Sequence, residues 1–466
     1  INSDKGSKLY LGGLTFVAVL GGLLFGYDTA VISGAEKALE AFFSQSTDFV
    51  YNKAWHGITA SSALIGCVIG GALSGLLAPR WGRRNSLIFA SMLFFLSAIG
   101  SWRPEMLFFE FGKPSFSLLL TFNAYRVLGG IGVGLASAIC PMYIAEVSPA
   151  NVRGRLVSVN QFAIIFGMLV VYFVNYLIRI NLPGSIEQAM MELGWRRMFL
   201  SEAFPAATFG LLLLFVPKTP RFLVMSGNES KALHVLTRIN GMDSARKTLA
   251  EIKETVVEKR EKLFSYGVTV VVIGILLSFF QQAVGINVVL YYAPRIFENL
   301  GASGDVSMRQ TVVMGVVNII FTMVAILTVD KFGRKPLLII GSIGMMVGMA
   351  ALSVLSFMDV IGVAALVFII IYTASFMMSW GPITWVLISE IFPNTIRGQA
   401  VAIAVAAQWI SNFVVSSTFP SLSEWSTGGA YLIYAVFSLL SAVFVFKMVP
   451  ETKGKTLEDM TRLWRK

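Results

Sequence analysis

The chain has 466 residues, of which 56% are hydrophobic and only 14% are charged, and its mean hydropathy is +0.73. Soluble globular proteins carry about a quarter charged residues, so the composition excludes that class and indicates an integral membrane protein. A formal net charge of +11 would suit nucleic acid, but basic residues of membrane proteins usually report topology, and we expect no nucleic-acid partner.

Twelve apolar segments are long enough to cross the ~30 Å hydrocarbon layer of a bilayer as helices. They are predicted at 10–33, 55–78, 85–101, 119–145, 155–178, 196–216, 266–293, 308–330, 336–357, 361–388, 399–420 and 429–448. Most Lys and Arg residues lie in the connections after even-numbered spans and in both tails, which predicts that both termini are cytoplasmic. The first apolar run is too long for a cleavable signal peptide, and we expect none.

Short motifs recur in the same order in the two parts of the chain. WGRR at 81–84 returns as FGRK at 332–335, and AEVSPANVRGR at 145–155 returns as SEIFPNTIRGQ at 389–399. Repeated apolar halves that meet at the midplane are typical of secondary transporters. The sequence therefore predicts two six-helix bundles, 1–216 and 266–449, followed by a cytoplasmic tail at 450–466.

Residues 217–265, between the sixth and seventh spans, are rich in both basic and acidic side chains. Helical periodicity at 229–239 and 247–262 predicts short surface helices over the cytoplasmic mouth. The basic residues could alternatively bind anionic lipid or nucleic acid, but the interspersed acids favour a solvated helical face. We interpret this segment as the linker between the bundles.

The sequence contains no pattern typical of an enzyme or a metal site. His56 and His234 lack companion ligands at metal-binding spacing, and Cys67 and Cys140 lie inside apolar runs, where they suit core packing. Nucleophile elbows and phosphate-binding loops are also missing from the sequence. We therefore expect no enzymatic activity, no cofactor and no bound metal.

Polar amides recur inside the apolar spans, where an unsatisfied amide is costly. They are Gln161, Gln281, Gln282, Asn287, Asn318 and Gln408. Single amides often only join helices, but six of them, with Tyr291, Trp385 and Trp409 in the same pattern, indicate a shared cavity. Amides suit hydroxyl groups, and indole faces suit the apolar face of a sugar ring, so a neutral sugar is the predicted ligand.

Three charged residues lie at similar depths inside the spans. Asp28, Arg126 and Glu202 are each about five to seven residues from the outer ends of their helices, so all three could meet. A static ion pair is one interpretation. The other is a functional site, which is the usual meaning of a carboxylate inside the membrane.

Six motifs together resemble the sugar porters of the major facilitator superfamily. They are GGLLFGYDTAVISG (21–34), PRWGRR (79–84), PMYIAEVSPANVRGR (141–155), QQAVGINVVLYYAP (281–294), DKFGRKP (330–336) and SWGPITWVLISEIFPNTIRG (379–398). Their order over nearly the whole chain makes the resemblance specific. It is greatest to the bacterial members that carry D-xylose with a proton, and extends to the facilitative glucose transporters. It implies an all-α fold of twelve helices in two pseudo-symmetric bundles.

The resemblance also implies a binding site. In the family, the positions matching Gln161, Gln281, Gln282, Asn287, Asn318, Trp385, Gln408 and Trp409 contact the sugar. The positions matching Phe25, Tyr291 and Gly381 line or close the cavity, and Gly381 with Pro382 favours a bend. Where the xylose-carrying members have a second glutamine, this chain has Met168.

Proton coupling is implied by the aspartate at position 28, since facilitative relatives commonly have an uncharged residue there. Burial favours the neutral carboxyl and nearby Arg126 favours the anion, so we hypothesise that a helix movement links protonation of Asp28 to conformation. Glu202 could share or relay that proton. A facilitative uniporter, and a membrane sugar sensor that signals through 217–265, are the alternatives.

Charged residues at the inner ends of the spans could form a cytoplasmic gate or simply anchor topology. They are Arg83, Arg84, Glu146 and Arg153 in the first half and Arg334, Lys335, Glu390 and Arg397 in the second. In the family, the equivalent residues form salt bridges in the outward-facing state. Lys218 replaces the usual acidic residue of the first half, whereas the second half keeps Glu451.

From these features we predict a symporter that carries a neutral monosaccharide, D-xylose or a related pentose or hexose, together with a proton by alternating access. Its expected partners are the sugar, the proton and the lipid bilayer. We expect a functional monomer in a bacterial inner membrane.

Overall fold

The structure is a computed structural model that describes residues 6–149, 152–255, 262–360, 362–454 and 462–464. Within these ranges the regular elements are helices, and Met190–Gly194 forms one turn of π-helix. In chain order the helices are α1 (Lys8–Ala30), α2 (Ile32–Phe43), α3 (Lys53–Trp81), α4 (Arg83–Trp102), α5 (Phe116–Val147), α6 (Arg153–Ile180), α7 (Ile186–Ala189), α8 (Trp195–Ser201), α9 (Ala203–Leu213), α10 (Pro220–Met225), α11 (Glu229–Asn240), α12 (Met242–Thr255), α13 (Val268–Ala283), α14 (Ile286–Tyr291), α15 (Ala293–Asn299), α16 (Gly304–Phe332), α17 (Arg334–Phe357), α18 (Val363–Met377), α19 (Trp380–Glu390), α20 (Asn394–Trp425) and α21 (Thr427–Met448).

Eleven helical segments of the described chain are long and apolar enough to cross a membrane. A helix satisfies its own backbone groups in lipid, which explains why these apolar runs are helical. The sixth predicted span, 196–216, appears as two shorter helices, α8 and α9, which meet at Glu202. The first span continues through α2 to Phe43, ten residues beyond the predicted end, because Leu39, Phe42 and Phe43 are buried.

The described residues of the predicted linker, 217–255 and 262–265, contain three short helices, α10 to α12. The helix predicted at 229–239 matches α11, whereas α12 begins at Met242, five residues before the predicted start at 247. Residues 256–261 of that prediction lie outside the described residues. The backbone amide of Ser7 donates to the Arg238 carbonyl at 3.0 Å, which ties the start of α1 to the linker.

The repeated basic motifs have matching geometry. Gly82 and Gly333 separate α3 from α4 and α16 from α17 with φ values of 82° and 93°. The second basic residue after each glycine binds a carbonyl at the end of the last helix of its half: Arg84 Nε to Leu213 at 3.0 Å, and Lys335 Nζ to Phe446 at 2.8 Å. The two basic motifs are therefore alike in structure as well as in sequence.

Lys218 stands where the second half has Glu451, and this difference breaks the symmetry. In the second half, the Glu451 carboxylate accepts hydrogen bonds from the backbone amides of Arg334 at 3.1 Å and Lys335 at 2.9 Å. Burial alone would raise the pKa of Glu451, but these amides and that of Lys453 outweigh it and hold the pKa below its ordinary value. In the first half, Lys218 cannot accept such bonds, and its ammonium lies 5.3 Å from the ring centroid of Phe222.

Successive spans alternate in direction, so the bundle has two ends. We call the end that holds the start of α1, the Gly82 and Gly333 turns and the end of α21 the terminal end, and the opposite one the distal end. At the distal end the halves pack closely, since a Cβ atom on Gly57 of α3 would lie 1.8 Å from the Ser417 carbonyl oxygen of α20. Tyr172 of α6 also donates to the Leu290 carbonyl of α14 at 2.9 Å. The distal end is therefore closed.

Candidate functional site

A cavity of about 590 Å³, a volume that includes its solvent-open part, lies between the two halves. Ten of the eleven residues predicted to bind or enclose the sugar line it: Phe25, Gln161, Gln281, Gln282, Asn287, Tyr291, Gly381, Trp385, Gln408 and Trp409. The first half supplies α1 and α6, and the second half supplies α13, α14, α18, α19 and α20. Residues far apart in the chain thus form one pocket.

The amides of the second half form a connected chain in the cavity wall. Gln281 is its centre, since its Oε1 accepts from Gln408 and, at 3.4 Å, from Gln282 Nε2. Its Nε2 donates to the carbonyls of Trp380 at 2.9 Å and Gly381 at 3.2 Å. Asn287 extends the chain by donating to Gln282 Oε1. These contacts fix the amides in place before any ligand arrives.

Two buried polar atoms of the wall have no hydrogen-bond partner within the described ranges. They are the Gln408 Oε1 acceptor and the Trp409 Nε1 donor. A buried polar group without a partner is costly, so the pair favours a ligand that both donates and accepts hydrogen bonds. The Trp409 ring packs against Phe25 with 5.5 Å between centroids, which places an aromatic contact between α20 and α1.

The wall contributed by the first half is mostly apolar. Gln161 is its amide, while Ile164, Ile165 and Met168 present hydrocarbon or thioether surface. Met168, which replaces the second glutamine of the xylose-carrying members, therefore lines the cavity itself. Ligand hydroxyl groups would be held mainly by the second half.

Asn318 is not brought into this wall. It lies on α16, is 2% exposed, and its Oδ1 has no hydrogen-bond partner among the described residues. Conversely, Asn412 lines the cavity and donates to the Tyr291 hydroxyl at 3.3 Å, although the sequence reasoning missed it. Its position one helical turn after Gln408 on α20 was the signal that could have identified it.

A backbone break beside the cavity separates α13 from α14. Gly285 has φ of 90°, a conformation that glycine adopts without strain, and an added Cβ would lie 2.7 Å from the Tyr434 ring. The Tyr372 hydroxyl donates to the Val284 carbonyl at 2.6 Å. A second break, at Met378–Ser379, precedes α19, so Pro382 lies in the first turn of that helix, where proline costs little. The bend predicted at Gly381 and Pro382 thus begins just before them.

The structure brings the three intramembrane charges, Asp28, Arg126 and Glu202, close together. Asp28, Arg126 and Glu202 are each at most 1% exposed. Arg126 pairs with the Asp28 carboxylate, and its second terminal nitrogen donates to the Asp28 backbone carbonyl at 2.9 Å. The guanidinium also lies 4.9 Å from the ring centroid of Phe199.

Glu202 lies at the junction of α8 and α9 and interacts electrostatically with Asp28 and Arg126. Neither carboxyl oxygen of Glu202, nor Asp28 Oδ2, accepts a hydrogen bond from an N–H or O–H group of the described residues, and the two carboxyls lie within hydrogen-bonding reach of each other. Two carboxyls beside a single guanidinium favour the binding of one proton, since two buried anions against one cation would leave a net charge.

At the terminal end, the predicted gate residues pair within each half. Arg83 donates to Glu146 at 2.7 Å, and Arg334 donates to both oxygens of Glu390 at 2.9 and 3.2 Å. Thr452 also donates to Glu390 at 2.6 Å, and Arg397 donates to the Phe392 carbonyl at 3.1 Å. The Arg153 side chain lies outside the described residues.

The structure corrects the expectation that His56 has no companion ligands. Its Nε2 lies 2.7 Å from Glu36 Oε2, and ligand atoms of Glu36, Glu40 and His56 lie within 4.8 Å of one another. The Arg295 guanidinium already pairs with both carboxylates, so we assign no metal to this cluster. Sequence spacing missed it because α2 and α3 approach only in the tertiary structure.

Comparison with known proteins shows similarity over nearly the whole chain. A family model described as "Sugar (and other) transporter" matches residues 14–464. The D-xylose-proton symporter of Escherichia coli strain K12 is 50% identical over 473 residues, covering 98% of this chain and 96% of that protein. The glucose facilitated diffusion protein of Zymomonas mobilis is 40% identical over 476 residues, covering 99% of each. A solved structure, the partially occluded inward open conformation of the xylose transporter XylE from E. coli, matches with a TM-score of 0.88 and 48% identity, covering 96% of this chain and 100% of that chain.

Proposed function

Since this chain belongs to the sugar transporter family, we propose that it is a proton-coupled symporter of a neutral monosaccharide, D-xylose or a related pentose or hexose. The resemblance and the major facilitator fold predicted from the sequence are confirmed. The chain is a membrane transporter and not an enzyme. The 50% identity to a D-xylose-proton symporter supports this choice of sugar and of coupling ion.

One observation carries the proposal: an uncharged, amide- and indole-lined cavity lies between the halves of a chain that also buries Asp28 against Arg126. The cavity supplies hydrogen bonds and aromatic surface for a sugar without any fixed charge. The ion pair supplies a carboxylate whose protonation changes the local charge. Sugar and proton thus have separate sites in one molecule.

Alternating access follows from the two halves and their closed distal end. The basic residues concentrate at the terminal end, so we place that end and both termini in the cytoplasm of a bacterial inner membrane. The structure then corresponds to an inward-facing state. Movement of bundle 1–216 against bundle 266–449, joined by linker 217–265, would open the distal end and close the terminal end. We take the functional unit to be a monomer in the lipid bilayer.

In this mechanism the proton acts through Asp28. When Asp28 is an anion, Arg126 holds it and the helices α1 and α5 that carry the two residues stay together. Protonation weakens that attraction and favours the state in which the two side chains are further apart. Glu202, adjacent to both, could share or relay the proton.

Proton flux tests this mechanism directly. We expect D-xylose added to lightly buffered, de-energised vesicles to raise the external pH, because each sugar that enters carries a proton with it. L-xylose, the mirror-image sugar, is the matched control and should leave the pH unchanged. Sugar entry without alkalinisation would instead support a facilitative uniporter, the activity named for the 40% identical relative. Binding without any flux would indicate a sensor.

The terminal-end residues yield a second test. Glu390 neutralised to Gln loses its bidentate contact with Arg334 and weakens the charge network that we place at the cytoplasmic gate. We expect the ratio of inward-facing to outward-facing protein to change roughly three- to tenfold, with little change in sugar affinity, because a partly exposed network contributes only about 1 kcal/mol.

The measurement combines sugar binding with the labelling of a reporter cysteine at the terminal end. Glu110→Gln is a suitable control, since the Glu110–Lys113 pair is 70% exposed and far from the gate. A Glu390→Gln protein with an unchanged transport rate and a weakened affinity would contradict the assignment.

A further inference from the structure

We infer that a partly buried charge network at the distal end is a latch that holds the outer mouth closed in the inward-facing state. We call it the distal latch. It consists of Glu36, Lys37 and Glu40 on α2, Lys53 and His56 on α3, and Arg295 and Glu298 on α15. The inference rests on the proposed function for the assignment of the distal end to the outer side of the membrane. The ion pairs themselves do not depend on that assignment.

Among the contacts of the distal latch that join the two halves, the one between Arg295 and Glu36 is the most buried. Arg295 Nε donates to Glu36 Oε1 at 2.8 Å, and a terminal nitrogen donates to Glu36 Oε2 at 2.6 Å. The same terminal nitrogen also pairs with Glu40. The Glu36 side chain is 0% exposed and that of Arg295 is 15% exposed, so water screens this contact poorly. Hydrogen bonds between a guanidinium fork and a carboxylate are stronger than hydrogen bonds between neutral groups.

The remaining members hold the carboxylates in position. His56 Nε2 lies 2.7 Å from Glu36, and its Nδ1 lies 3.1 Å from the Tyr51 hydroxyl, so a neutral ring satisfies both contacts. Lys53 pairs with Glu40, and Lys37 pairs with Glu298 across the halves. Apart from His56, the distal latch contains three carboxylates and three Lys or Arg cations, whose charges balance.

The network must open in every transport cycle. Glu36 and Glu40 belong to the first half, whereas α15 belongs to the second and follows the break at Gly285. Opening the distal end therefore separates Arg295 from both carboxylates and hydrates all three charges. The distal latch thus sets the balance between the two states, and its strength controls how readily the empty carrier turns outward.

The accessibility of Ser416→Cys reports on the latch, because Ser416 is 0% exposed and the backbone of the next residue packs against Gly57 where the distal end is closed. Proteoliposomes holding the full chain are exposed on the distal side to a membrane-impermeant maleimide. The native chain is the labelling control, since Cys67 and Cys140 are both 0% exposed. We expect Arg295→Gln to speed labelling of residue 416 at least about tenfold, because removing one partner of a buried ion pair is strongly destabilising.

Two further variants make the test specific. Arg179→Gln is the matched control: Arg179 pairs with Asp305 across the same halves at 2.8 Å, but Asp305 is 45% exposed, so we expect less than about a twofold change. If Arg295→Gln fails to fold, Glu40→Gln carries the test, since it removes one of the two carboxylates bound by Arg295. Labelling at the native rate in a folded Arg295→Gln or Glu40→Gln protein would overturn the latch.

Failure of the latch and failure of the proposed function give different results. Labelling needs neither sugar nor proton, so it tests the distal latch even if the substrate is wrong. Conversely, an unlatched chain that still alkalinises the medium on addition of D-xylose would leave the symport mechanism intact.

Discussion

We expect an Asp28→Asn variant to lose all proton-driven accumulation of sugar while keeping sugar exchange across the membrane. Asparagine cannot bind the coupled proton, and it does not form the charged contact with Arg126 that the native carboxylate makes. One pH unit is worth a factor of ten in concentration, so a carrier that couples one proton to each sugar accumulates at most about tenfold across a one-unit gradient. We expect the variant to reach only equal concentrations, as measured by uptake of labelled D-xylose into vesicles.

Counterflow is the control for that experiment, because exchange of labelled for unlabelled sugar needs the cavity and the helix movements but no net proton transfer. Glu202→Gln provides a comparison, since it removes a neighbouring buried carboxyl while Asp28 remains. An Asp28→Asn protein that still accumulates sugar against a gradient would disprove the role of Asp28. Loss of both accumulation and counterflow would indicate that the buried pair is needed for the fold.

A Gln281→Ala variant should bind sugar roughly tenfold to a hundredfold more weakly than the native chain. Gln281 accepts hydrogen bonds from Gln408 and Gln282 and donates to the carbonyls of Trp380 and Gly381. Its removal leaves several buried groups without partners, at about 1–3 kcal/mol for each such group, and loosens the wall that holds the ligand hydroxyls. Isothermal titration of the purified protein with D-xylose measures the effect.

Asn123→Ala is the matched control for Gln281, because Asn123 is also a buried amide, on α5, but does not line the cavity. Its affinity for sugar should stay within about twofold of the native value, since its hydrogen bond to Thr59 is long, at 3.4 Å. Equal losses in the two variants would mean that buried amides act through general stability. Unchanged sugar affinity in Gln281→Ala would show that the cavity is not the binding site.

Much of the fold was predictable because its signals are local. Apolar runs must form helices in lipid whatever their neighbours are, so most spans could be placed within several residues. The basic turns at 81–84 and 332–335 likewise predicted a repeat, which the structure shows as matched glycine and carbonyl geometry. Local hydropathy could not predict the break at Glu202 or the continuation of the first span through α2, since both depend on packing against other helices.

The site was predictable to the extent that polar residues are costly in a membrane. Gln161, Gln281 and Gln408 stand out in apolar helices because each needs a partner, and the three do line one cavity. The same argument selected Asn318, which the structure leaves outside the wall, and it missed Asn412, which is inside. The free-energy cost of a polar side chain in lipid identifies residues that need a partner. It does not identify which partner they contact.

By itself, the sequence determined that this is a twofold-repeated helical membrane protein with neutral polar groups and a few charges at mid-depth, because hydropathy, motif repetition and the cost of burying polar groups act residue by residue. Only the tertiary structure decided which of those groups share the cavity, that Arg126 pairs with Asp28, and that Arg295 joins Glu36 and Glu40 across a closed distal end. Those contacts link residues about 100 to 260 positions apart, and their geometry depends on how the helices pack.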